Sequence, residues 1–186
     1  MDRPLNLTVL SGTNRPGSRT RQVAQHLVER YAQMDGVAVS LLDLQDLPQE
    51  LAAPAAYDEK PPEFKRFADA VLASDGLHVV LPEYNGGMPG ILKLFIDHLP
   101  FPESFEGRPV AFVGVASGRF GALRPVEQAQ GVFGYRNAHI FPQRIFIAGA
   151  GRTLDPHGEP VDPFLRGLMD TQVTDFVDFV GRLKRE

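Results

Sequence analysis

The chain of 186 residues contains no cysteine, which excludes disulfides, a thiol nucleophile, thiolate metal sites and iron–sulfur clusters. No apolar run reaches the length needed to span a bilayer. The opening Met1-Asp2-Arg3-Pro4 leads into a strand without the apolar core of a signal peptide. Positive charge is not in excess, since 19 Lys and Arg stand against 23 Asp and Glu, a formal net charge of −4. That balance gives no electrostatic pull toward nucleic acid or an anionic membrane. His26, His78, His98, His139 and His157 have no metal-ligand spacing, so no metal site is expected. With these absences a cytoplasmic location is the default expectation. The composition, 43% apolar and 23% charged, and the length suit one domain over residues 1–186.

The most informative stretch runs from Leu5 to Thr20. An apolar, β-branched run stops in Ser11-Gly12-Thr13-Asn14-Arg15-Pro16-Gly17-Ser18-Arg19-Thr20, and apolar residues then recur with helical spacing at Val23, Ala24, Leu27, Val28 and Tyr31. A strand–loop–helix unit of this kind gathers backbone N–H groups, hydroxyls and a guanidinium at the positive end of a helix, which suits a phosphate. A P-loop would need Lys followed by Ser or Thr after its last glycine, but Gly17 is followed by Ser18-Arg19. The dinucleotide fingerprint needs three glycines, and Gly12 and Gly17 stand alone. What remains is one terminal monophosphate held without metal. Thr13, Ser18 and Thr20 offer hydroxyls and Arg15 a planar fork of donors; an ordinary capped strand-to-helix turn has the same composition.

Further along, Val37–Leu42, Leu77–Leu81, Val110–Ala116 and Arg144–Ala148 read as strands. Pro142 sets the start of the last one, because proline cannot donate in a ladder. Helices are expected over 21–34, from Pro62, over 91–99, around Pro125 to Phe133, and along the stripe Leu165, Met169, Val173, Phe176, Val180 and Leu183. Gly36 reads as the residue closing the first helix, and residues 49–62 and 149–162 read as loops. Strands alternating with helices give an α/β fold with a five-stranded parallel sheet, order 2-1-3-4-5, covered on both faces. Ligands in such sheets bind beyond the strand carboxyl ends, at the switch between strands 1 and 3. Three unusual loops, 11–20, 82–90 and 117–121, follow strands 1, 3 and 4 and so converge on one crevice.

In the middle loop, Pro82-Glu83-Tyr84-Asn85-Gly86-Gly87-Met88-Pro89-Gly90, the glycines let a flat ligand approach. Asn85 and the N–H groups of Gly86 and Gly87 are placed to bond a ring edge. A phosphate at the first loop and a planar ring at the second and third describe a mononucleotide-like cofactor, which flavin mononucleotide fits well; a plain helix entry with Pro89 in its first turn would also account for residues 82–90. Asp43 and Asp46 read as strand-end capping, and Lys93 with Asp97 as a helix-surface pair.

Two motifs resemble the NADPH-dependent FMN reductases, flavodoxin-like enzymes that include quinone, azo-dye and chromate reductases. Gly12 to Thr20 resembles the family's G-S-x-R-x-x-S-x-N loop, and Pro82 to Asp97 its P-E-Y-N-x-x-x-P-x-x-L-K-N-x-x-D motif. Thr13 stands where Ser is common, Thr20 where Asn is common, Leu94 replaces the Asn after Lys93, and His98 an aromatic residue near a subunit contact. The resemblance implies that Thr13, Arg15, Ser18 and Thr20 hold the FMN phosphate. It implies that Pro82, Glu83, Tyr84, Asn85 and Gly86 frame the isoalloxazine, with Ser117, Gly118 and Arg119, through Gly121, closing the far side. No catalytic side chain is implied, because the flavin carries the chemistry. The implied activity takes hydride from NADPH or NADH to the flavin and on to a quinone-like or other small acceptor, or to free FMN. A homodimer or homotetramer is implied as well. Arg119 and Arg15 are both candidates for the NADPH 2′-phosphate. The alternative is a flavodoxin-like electron carrier without its own NAD(P)H turnover.

Overall fold

A computed structural model describes residues 3–184, so Met1 and Asp2 of the opening segment lie outside the described residues. The strands β1 (Leu5–Ser11), β2 (Val37–Asp43), β3 (Gly76–Pro82), β4 (Pro109–Val115) and β5 (His139–Ile147) pair in parallel throughout, in the order β2-β1-β3-β4-β5. Every residue of β3 and β4 is buried, the reason their sequences are unbroken apolar runs rather than alternating ones.

Side chains alternate across the sheet and divide the core in two. Leu10, Leu77, Val79, Phe112 and their neighbours face α2 (Lys65–Leu72), α3 (Gly90–His98) and α4 (Leu123–Tyr135). Leu7, Val9, Val80 and Val113 face α1 (Arg19–Tyr31) and α6 (Pro163–Leu183). Arg136 closes the far end of α3, donating to the carbonyls of Ile96 at 3.3 Å and Pro100 at 2.7 Å, with its guanidinium 4.9 Å over both Phe101 and Phe105. Helix-terminal carbonyls need such donors.

Four local expectations are corrected. α1 begins at Arg19 and ends at Tyr31, and Gly36 (φ +75°) turns the chain into β2 instead of closing the helix. Residues 49–62 are a chain of short 3-10 turns (Gln49–Ala52, Pro54–Tyr57, the next from Pro62) that bury Leu51 and Ala56. Within 149–162 lies a short helix, α5 (Ala150–Thr153). β5 starts at His139, five residues before Arg144, and contains Pro142. The ladder tolerates it because pairing jumps from Val110↔Ile140 to Phe112↔Arg144, leaving 141–143 opposite Ala111 alone. Proline belongs at such bulges and on edge strands.

One buried polar pair lies inside the second half of the core. His78 Nδ1 stands 2.8 Å from the Tyr31 hydroxyl, and both residues are fully buried. Burial pushes the His78 imidazole down to about 3, and Gln172 on α6 offsets this only in part, without closing a hydrogen bond to Nε2. The native state therefore binds fewer protons at this site than the unfolded chain between pH 6.5 and about 3. Stability from neutral His78 is complete above pH 6.5 and is lost as pH falls through that window. His78→Asn, which keeps an acceptor for Tyr31, is expected to flatten the acid limb of stability against pH by up to about 1.4 kcal/mol per unit. Urea titrations of both proteins from pH 7 to 4 measure this, and parallel curves would show that His78 is not the group responsible.

Candidate functional site

Past the end of β1 the Gly12 N–H donates to the Val80 carbonyl at 2.8 Å, so the ladder with β3 continues into the loop. A side chain at Gly12 would meet that oxygen at 3.0 Å and Leu92 at 3.2 Å. Thr13 is buried, its hydroxyl 2.8 Å from the Tyr84 hydroxyl and accepting from the Arg15 N–H at 3.2 Å. Gly17 (φ +64°) then turns the chain, and Ser18 caps α1 by accepting from the Arg21 N–H at 3.1 Å. The N–H groups of Ser18, Arg19 and Thr20 are the first donors of the helix, with no intrahelical acceptor.

These donors open on a cavity of about 250 Å³. Arg15, Ser18 and Thr20 line one side of it. Pro82, Glu83 and Tyr84 after β3 line another, with Ala116 and Ser117 after β4 and Ala150 of α5 closing it. Loops following strands 1, 3 and 4 therefore meet at one place, as the topology requires.

Of the expected residues, Arg15, Ser18, Thr20, Pro82, Glu83, Tyr84 and Ser117 line the cavity, and Thr13 is buried behind Tyr84. Asn85, Gly86, Gly118 and Arg119 lie outside its walls. Asn85 (φ +51°) and Gly86 (φ +76°) are the two central residues of a hairpin turn, a placement that favours Asn-Gly. That turn is closed by bonds of 3.1 and 3.0 Å exchanged between Tyr84 and Gly87. The Gly87 N–H is thus committed to the Tyr84 carbonyl and does not point at a ring. Gly118 accepts from the Gly149 N–H at 3.3 Å, and the Arg119 guanidinium lies 4.9 Å over the Phe120 ring.

Arg19 also lines the cavity, and its Nη1 lies 2.8 Å from Gln22 Oε1 and 3.0 Å from the Asp155 carbonyl. It fastens the 155–159 turn onto α1. Gly158 (φ +85°) lies so close that a Cβ would fall 2.4 Å from the Gln22 backbone. Desolvation pushes the Asp155 carboxyl up, but bonds from the N–H groups of Glu159 and His157, at 2.9 and 2.8 Å, hold it below its ordinary range. Sequence reasoning passed over Ala150 and this segment. The signal was its position, since it leaves the carboxyl end of β5 through Ala148-Gly149-Ala150-Gly151, as the other functional loops leave theirs.

The carboxylates near the site are all paired. Glu83 Oε1 is 3.4 Å from Arg124 Nη1. Asp43 meets Arg21 at 2.7 Å and accepts from the Gln45 N–H at 3.1 Å, the expected strand-end capping. Lys93 and Asp97 form the expected pair at 2.6 Å. Among the described residues no group of His, Cys, Asp and Glu could hold a metal ion, and no helix is long and apolar enough to cross a membrane. A larger groove of about 750 Å³ runs between Asp46 and Arg66, but Asp46, Glu50, Glu59 and Glu63 line it against Lys60 and Arg66, a balance that repels an anion.

The donor set of the smaller cavity fits FMN. Hydroxyls, one guanidinium and a helix N-terminus suit a single phosphate. Its volume of about 250 Å³ is below that of sites holding whole small molecules.

Residues 5–153 match the family model for NADPH-dependent FMN reductase. A quinone reductase of Pseudomonas putida is 34% identical over 180 residues, covering 91% of this chain and 94% of its own. An NAD(P)H-dependent FMN reductase of Pseudomonas aeruginosa is 28% identical over 184 residues, 94% of this chain and 95% of its own. Among solved structures, the flavoenzyme NAD(P)H:(acceptor) oxidoreductase FerB from Paracoccus denitrificans superposes with a TM-score of 0.83 at 21% identity, over 97% of this chain and all of that one. The chain belongs to the NADPH-dependent FMN reductase family, and with it to the FMN oxidoreductases driven by NAD(P)H.

Proposed function

We propose that this single FMN-binding domain, residues 1–186, is a cytoplasmic reductase of quinone-like acceptors. The observation that carries the reading is the meeting of the first α1 N–H groups, Arg15, Ser18 and Thr20 with Pro82–Tyr84 and Ser117 in one cleft. In it, Arg15, Ser18, Thr20 and the α1 N-terminus bind the FMN phosphate. Thr13 acts through its bond to Tyr84, fixing that ring at the cleft wall. Tyr84, Pro82 and Glu83 frame one side of the isoalloxazine, with the Asn85-Gly86 turn above them and Ser117-Gly118 opposite. FMN supplies hydride acceptance at N5 from NAD(P)H and hydride donation to the acceptor. The protein binds, orients and shields, and no side chain has to act as nucleophile.

The acceptor class is drawn from the quinone reductases of Pseudomonas putida, at 33% and 34% identity, and the 2-hydroxy-1,4-benzoquinone reductase of Burkholderia, at 29%. A homodimer fits the groove of about 460 Å³ between α3 and α4, where Ile96, Val132 and Tyr135 meet Lys93 and Asp97. Tyr135 there is 83% exposed in the single chain, and pairing of this face would cover it.

Two measurements test the reading. The purified protein should be yellow, and anaerobic NADPH should bleach the flavin absorbance until added quinone restores it. An electron carrier would hold its colour in NADPH until a separate reductase was supplied. Arg15 is exposed and outside the core, so Arg15→Ala should weaken FMN binding roughly tenfold or more while the melting temperature stays put. Unchanged affinity by fluorescence titration would remove Arg15 from the site.

A further inference from the structure

We propose that Gln128 of α4 is a positioning residue: it clamps the exit of the Tyr84–Gly87 hairpin and so sets where the Asn85 and Gly86 N–H groups meet the flavin ring. The inference rests on the proposed flavin cleft and adds to it a residue outside the cavity's walls.

Between Tyr84 and α3 the backbone donors are few. Tyr84 and Gly87 spend theirs on each other's carbonyls, at 3.1 and 3.0 Å. Pro89 has no N–H, and its carbonyl accepts from the N–H groups of Leu92 and Lys93, at 3.0 and 3.3 Å, as α3 opens. The Met88 N–H donates to Gln128 Oε1 at 2.8 Å, so it is Gln128 that ties the exit of the hairpin to α4. The N–H groups of Asn85 and Gly86 donate to no protein acceptor among the described residues. Both residues take left-handed backbone (φ +51° and +76°), and these two unspent donors are what the hairpin can offer a ligand.

The clamp has a rigid base. Val126, Ala129 and Phe133 are buried and anchor α4 in the core, while Gln128 is exposed. Gly87 leaves room for the side chain, since a Cβ there would lie 3.3 Å from Gln128 Oε1. One turn earlier on the same face of the helix, Arg124 reaches Glu83 at 3.4 Å. α4 thus grips the loop on both sides of the hairpin, at Glu83 before it and at Met88 after it. A flat ring that takes up a hydride gains charge at its edge atoms, and a donor fixed at that edge favours the reduced state. Such a bias needs donors held in place by a supporting shell, and Gln128 supplies that support at the exit of the turn.

The test compares the wild type with Gln128→Met, which keeps the length of the side chain and loses the acceptor, and with Gln128→Glu, which keeps an oxygen there. In the flavin-free protein, amide exchange at Met88 should be about fivefold faster in Gln128→Met, the worth of one hydrogen bond, with the melting temperature unchanged. Gln128→Glu should return exchange toward the wild-type rate. In the FMN-loaded protein, the preference for reduced over oxidised FMN, read from the reduction potential, should fall about fivefold in Gln128→Met. Unaltered exchange at Met88 would overturn the clamp. Faster exchange with an unaltered potential would overturn the role at the ring. A wild-type protein that takes up no FMN would fail the flavin reading and the positioning role with it, while exchange at Met88 would still report the hydrogen bond alone.

Discussion

The hydrogen bond from the Gly12 N–H to the Val80 carbonyl, 2.8 Å long, is the constraint on which the arrangement of the site depends. It carries the β1–β3 ladder one residue beyond the strand, and the absence of a side chain at Gly12 permits the approach. From there Thr13 falls within reach of Tyr84, so the loop after β1 and the loop after β3 are held at a fixed spacing. The α1 N-terminus inherits its position from that contact. A cleft built this way sits on the rigid central strands of the sheet, and its loops have little freedom to drift apart.

Much of this was legible in the sequence, for identifiable reasons. β3 and β4 announce a parallel sheet because strands buried on both faces have no polar side to alternate. The hydroxyl-rich loop and its glycines suit an anion, and the structure brings its Arg15, Ser18 and Thr20 to one cavity. The rest depended on three-dimensional context. Asn85-Gly86 looked like a ring cradle, yet positive φ at both residues makes them a hairpin turn, and the turn uses the Gly87 N–H itself. The resemblance puts Arg119 at the flavin's far side, and its position over Phe120, outside the cavity's walls, could be seen only in three dimensions. The 3-10 turns of residues 49–62 have no period to read, and they become regular only because Leu51 and Ala56 find places in the core.

Charge in the molecule is sorted rather than merely balanced. The chain is acidic overall, yet the cleft and its approach present guanidinium groups and helix-end N–H donors, and the nearby carboxylates of Glu83 and Asp43 are each tied to an arginine. Carboxylates gather instead around the groove between Asp46 and Arg66. An anionic coenzyme thus meets a locally positive face on a negative body, which favours approach from one direction.

The bulge that lets β5 accommodate Pro142 has an effect beyond the register. β5 is the outermost strand on its side, and the outer margin of a sheet is where a stray chain adds by backbone pairing. A residue with no N–H, set where 141–143 bow away from the ladder, leaves an incoming strand no continuous row of donors to match. Growth of the sheet into fibrils is discouraged at that margin.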